Sequence, residues 1–118
     1  MASYAFVVPV LPGMEERNRQ FSAELQGARK AEFQASRERA GLTVERVWMQ
    51  QTPAGTMSVV YLEADDIGRA LGTLATSQDP FDARWRQHIL EIHGIDLSQP
   101  LPGPMNDLIL DYARAENP

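Results

Sequence analysis

The sequence predicts a single α+β domain with the element order β-α-β-β-α(α)-β. Two observations carry most of that prediction. The runs 43–52 and 56–64 both alternate their side chains, and only Pro53-Ala54-Gly55 separates them. A link this short forces an antiparallel pair. A long helical pattern stands between that pair and a β-rich run at the start of the chain, and a second helical region follows the pair.

Taken in order, Tyr4-Ala5-Phe6-Val7-Val8-Pro9-Val10 is the first strand. Pro9 cannot donate a ladder hydrogen bond, which puts it near the strand's end or at an edge. Leu11-Pro12-Gly13 is the turn out of it. From Met14 to about Ala40 the apolar positions Met14, Phe21, Leu25, Ala28 and Phe33 fall near one side of a helix. Gly27 interrupts it and costs about 1 kcal/mol against alanine in a helix interior, so either a bend or two successive helices is expected. Gly41 is a natural stop.

In the second strand Val47, Met49 and Gln51 share one face, and Arg46, Trp48 and Gln50 the other. In the third, Met57, Val59 and Tyr61 oppose Ser58, Val60 and Leu62. Asp65-Asp66 opens a helix with the stripe Ile67, Ala70, Leu71 and Leu74. Asp79-Pro80 opens another that runs to Gly94, with Asp82 in its first turn. The proline-rich stretch from Ile95 to Pro104 is a stiff, extended connection, and 108–112 is the fourth and last strand. This is the split βαβ, or ferredoxin-like, order with a four-stranded antiparallel sheet. Helices cover one face of the sheet. The other is too apolar to face water, which predicts a homodimer of two sheets packed face to face.

Composition narrows the functional classes. With 118 residues the chain has room for one domain, 1–118, and one core. A net charge of −5 disfavours phosphate backbones, so nucleic acid is not expected as a partner. The absence of cysteine removes disulfides and thiolate chemistry and suits the cytoplasm. No secretion signal and no apolar run near the roughly 20 residues of a membrane span is apparent, so no membrane partner is expected.

The helix from Asp79 to Gly94 holds both histidines. Phe81, Trp85, His88 and Ile92 recur at helical spacing on one face, which turns His88 inward and makes it the candidate catalytic base or ligand. His93 sits in the last turn, where an imidazole complements the helix C-terminus. Five positions separate the two, a rotation of roughly 140°, so one metal ion cannot easily take both and no metal site is expected. Trp48, Tyr61, Arg84 and Trp85 are candidates to line a ligand pocket with His88. Arg37-Glu38-Arg39 reads as a solvated helix face.

The stretches Val7-Val8-Pro9-Val10-Leu11-Pro12-Gly13, Tyr61-Leu62-Glu63-Ala64-Asp65-Asp66, Asp79-Pro80-Phe81-Asp82 and His93-Gly94-Ile95-Asp96-Leu97 give a likeness across nearly the whole chain. The sequence resembles the dimeric α/β-barrel proteins, the superfamily that includes the antibiotic-biosynthesis-type monooxygenases, and within it a family of small bacterial proteins. The resemblance implies a dimeric α/β barrel. It also implies a range of activities, from oxygenases and isomerases to haem-binding members and proteins without known activity. Two functions are therefore expected. The first is non-catalytic binding of a hydrophobic small molecule or partner, with no cofactor. The alternative is a small oxygenase or isomerase, cofactor-independent or haem-dependent, acting on a hydrophobic aromatic metabolite through His88.

Overall fold

A computed structural model describes residues 2–99 and 106–115. The elements run β1 (Ala2–Pro9), α1 (Glu15–Gln26), α2 (Lys30–Ala40), β2 (Leu42–Thr52), β3 (Gly55–Ala64), α3 (Ile67–Thr76) and α4 (Pro80–His93). The three strands form one antiparallel sheet in the order β1-β3-β2. Phe6 lies opposite Val60, and Val60 opposite Val47, so the alternation expected from the sequence becomes two real faces.

Local chemistry accounts for most of the boundaries. The helical stretch after β1 breaks in two at Gly27, as one of the two sequence expectations held. Gly41 and Gly94 end α2 and α4 at φ 81° and 71°, left-handed conformations that glycine enters without steric cost. The Asp66 carboxylate accepts a hydrogen bond from the backbone N–H of Arg69 and starts α3. The Asp79 carboxylate accepts from the N–H of Phe81, with Pro80 at the first helical position of α4.

One expectation is corrected. Residues 108–112 are not a strand among the described residues. They belong to no regular element and stand fully in solvent, with Ile109 93% exposed. A run of apolar and aromatic side chains gives a segment β propensity, but a strand needs a neighbour to hydrogen-bond, and here it finds none among the described residues. The sheet therefore has three strands among the described residues, with β1 at a free edge. Of the expected connection from Ile95 to Pro104, residues 95–99 form no helix or strand, and the rest lies outside the described residues.

The helices pack on the face of the sheet that carries Phe6, Val60 and Val47. Beneath them the core divides into two clusters. Ala40, Leu42, Leu62, Ala64, Ala70 and Leu74 form one, at the end of the sheet near α3. Val10, Phe21, Leu25, Phe81 and Ile92 form the other, between α1 and α4. Trp85 touches both. No helix among the described residues is long and apolar enough to cross a membrane.

Candidate functional site

Between the helix-covered face of the sheet and the four helices lies a cavity of about 500 Å³. Its walls are mainly apolar: Phe6, Val60 and Leu62 from the sheet, Leu25 and Trp85 from the helices. Ile95 and Leu97, just after α4, close it beside β1. It reaches the surface near Val47, which is 48% exposed although it faces the helices. Two polar groups of side chains interrupt the apolar lining.

The first group centres on Arg37, which the sequence placed on a solvated helix face. That reading fails. Arg37 is buried, with its guanidinium over the rings of Trp85 at 4.4 Å and Phe33 at 4.6 Å. Its Nε donates to the Glu45 carboxylate at 2.7 Å and its Nη1 to the Ser36 hydroxyl at 2.9 Å. Charge spacing along the helix could not reveal this, because Glu45 reaches Arg37 from β2. A planar guanidinium flanked by aromatic faces and met by a carboxylate is desolvated at lower cost than an ammonium would be. Arg37 and Glu45 both line the cavity.

Behind Arg37 lies Asp82, expected to be a first-turn carboxylate of α4. It is that, and it is also a buried tie between helices. Its carboxylate accepts from the hydroxyls of Ser36 and Ser77, both at 2.5 Å, and from Arg39 at 3.2 Å. Burial pushes its pKa up, but the hydrogen bonds from Ser36, Ser77 and Arg39 more than offset this, and the carboxyl titrates below its ordinary value.

The second polar group lies at the other end of β3. Asn18 of α1 donates from its Nδ2 to the Ser58 hydroxyl at 3.1 Å and, more weakly, to the Met49 sulfur at 3.6 Å. Ser58 pairs across the sheet with Val8, and the carbonyl of the next residue, Pro9, holds His93 at 2.7 Å. Asn18, Ser58 and His93 all line the cavity and all are buried. A carbonyl can only accept, so the His93 Nδ1 carries a proton and Nε2 is the lone-pair nitrogen of a neutral ring. Burial lowers the His93 pKa, and the bond to Pro9 offsets only part of that, which favours the neutral ring.

The candidates named from sequence fall differently. Trp85 lines the cavity. His88 does not. It is half-buried on the outer side of α4, its ring stacked on Phe21 at 4.3 Å, and its Nδ1 accepts from Arg17 at 3.2 Å. Burial and the Arg17 charge lower its pKa. Arg84 is exposed on α4 and lies outside the cavity lining. Tyr61 is on the far face of the sheet and donates its hydroxyl to Glu63 at 2.6 Å, which raises its pKa. Trp48, 53% exposed, is also on the far face and lies beside a hollow of about 370 Å³ between α1 and β2.

The spacing that placed His88 beside Phe81 and Ile92 allowed a half-turn of error, because a helix packed on two neighbours buries a wide arc. His93, expected in the last turn of the helix and found there, also lines the cavity. Position 93 lies off the stripe, and it is covered where α4 meets the segment after β1, the Leu11 N–H donating to the Ile92 carbonyl.

His88 is not among the residues that line the cavity. Among the described residues no group of three or more histidine, aspartate or glutamate side chains is arranged to hold a metal ion. Comparison of the chain with protein-family models, with curated proteins and with solved structures finds no match.

Proposed function

We propose that the protein binds a hydrophobic small molecule and does so as a homodimer. The observation that carries this is the cavity. About 500 Å³ of mostly apolar space with a few convergent polar groups is what ligand sites provide, and it is far more space than packing defects leave in a domain of this size. Catalysis has no comparable support, because among the described residues the cavity gathers no nucleophile paired with a base at hydrogen-bonding distance.

The binding reading is tested with a neutral fluorophore, N-phenyl-1-naphthylamine. Its emission is expected to rise and shift to the blue with the wild-type protein. A folded Val60→Phe variant, which fills the middle of the cavity, is expected to lose most of that response. No response from the wild type, or an unchanged one from the variant, would overturn the reading.

The dimer rests on the far face of the sheet. Val7, Val59 and Trp48 are in register across its three strands, with Val7 57% and Trp48 53% exposed. A row of large apolar side chains across a sheet is a surface that a second copy covers well. Two such sheets face to face form a dimeric α/β barrel, the architecture that the resemblance implies. Light scattering on the full chain at micromolar concentration is expected to report a dimer, and Trp48→Glu a monomer. A wild-type monomer would overturn this assembly and leave the cavity's binding role untouched.

A further inference from the structure

We propose that the buried Nε2 of His93 is the acceptor that recognises the ligand, and that the ligand is an apolar molecule carrying a hydroxyl group. This rests on the binding reading above and adds the chemical class. Three facts converge on it. The bond from Nδ1 to the Pro9 carbonyl fixes the ring's orientation and leaves Nε2 with a lone pair. No donor among the described residues meets that nitrogen. Yet His93 is only 6% exposed, and no fully enclosed side-chain nitrogen or oxygen among the described residues lacks a partner. Nε2 therefore meets open space, and the enclosed space that His93 lines is the cavity.

Its neighbours have the same bias. The Asn18 amide donates twice through Nδ2, while its carbonyl oxygen has no donor among the described residues. The Ser58 oxygen accepts from Asn18, and the hydroxyl proton is left to give. This end of the cavity thus offers two acceptors and one donor, all neutral. A hydroxyl satisfies such a set, because it donates one hydrogen bond and accepts another. A carboxylate would place two acceptors against His93 and Asn18, and an ammonium would find no counter-charge there. The charged pair at the opposite end is already matched to itself: Arg37 faces Glu45. The low pKa of the buried imidazole is consistent with its acting as an acceptor at neutral pH.

The test compares 2-naphthol with 2-methoxynaphthalene, which keeps the ring system and the oxygen and loses the donor. Binding of each to the full-length protein is followed by fluorescence titration. We expect about a tenfold preference for the naphthol, the ratio that one hydrogen bond of ordinary strength gives. His93→Phe is expected to abolish the preference while the ether binds as before. Equal binding of the two probes to the wild type would overturn the assignment and leave the binding reading standing. Failure to bind either would overturn both. A preference retained in His93→Phe would show that another group receives the hydroxyl. If that variant does not fold, nitrogen-15 shifts of the wild-type imidazole decide: 2-naphthol is expected to move the His93 Nε2 resonance strongly and Nδ1 little, and an unmoved Nε2 overturns the assignment.

Discussion

At the Arg37 end of the cavity the polar groups answer one another. The guanidinium lies between two rings, its carboxylate partner is 2.7 Å away, and Ser36 connects it to the Asp82 tie. At the His93 end the groups are held as firmly but are incomplete, with Nε2 of the imidazole and the Asn18 oxygen left facing open space. Both ends are buried and both are polar. The difference is where the last hydrogen bond goes. A network closed on itself fixes the helices against the sheet; a network with open valences fixes only its own geometry and waits for another molecule. Burial alone therefore does not tell a structural polar group from a recognising one, and the accounting of donors and acceptors does.

Substitutions should expose that contrast, and the closed end should show the larger effects on stability. Removing one partner of the buried pair, as in Glu45→Ala, leaves the Arg37 guanidinium desolvated and should cost about 3–5 kcal/mol in denaturant unfolding. The double variant Arg37→Met with Glu45→Leu removes both charges and should regain most of that loss. If it is no more stable than Glu45→Ala, the pair contributes more than its mutual neutralisation. Asp82→Asn should cost about 2–3 kcal/mol, since three donors lose a charged acceptor that holds α2 against α4. Asp66→Ala gives a yardstick remote from both ends: loss of one helix cap, about 1 kcal/mol.

The open end should show its smallest effect in the pH dependence of stability. The folded-state pKa of His93 lies below the ordinary value of about 6.5. As pH falls below that value, the unfolded chain takes up a proton that the folded chain resists. The unfolded state then binds more protons, so stability falls as pH falls and is recovered above the unfolded pKa. His88 contributes with the same sign. Wild-type unfolding free energy should therefore decline between pH 7.5 and 5.5, and His93→Gln should flatten that decline in part. An equal slope in the two proteins would mean that His93 is not held neutral. Asp82, whose folded pKa is also lowered, acts in a separate and more acidic window, with its contribution lost as pH falls through the carboxylate range.

Much of this was legible in the chain itself, and the legible parts were those with a local cause. The alternation of β2 and β3 required two faces, and Pro53-Ala54-Gly55 required that they pair. Asp66, Asp79, Gly41 and Gly94 bounded their helices because caps and left-handed turns are satisfied within a few residues. The site was less legible. Helical spacing put Trp85 and His88 on one face, and only Trp85 lines the cavity, since spacing says which residues share a face and not which neighbour that face meets. Arg37 looked solvated because its partner, Glu45, arrives from another element. Tyr61 and Trp48 belong to the sheet's far face, and alternation alone does not say which face the helices will cover.

By itself, then, the sequence determined the strands, the helices, their ends and the antiparallel pairing of β2 with β3, because each follows from backbone sterics and hydrogen bonds between near neighbours. Tertiary structure alone decided which side of α4 closes over the cavity, that Arg37 and Asp82 are buried, that 108–112 lacks a strand partner among the described residues, and that His93 ends with one nitrogen bound and the other open. Those outcomes depend on groups brought together across the fold, where desolvation makes every unmatched donor or acceptor consequential.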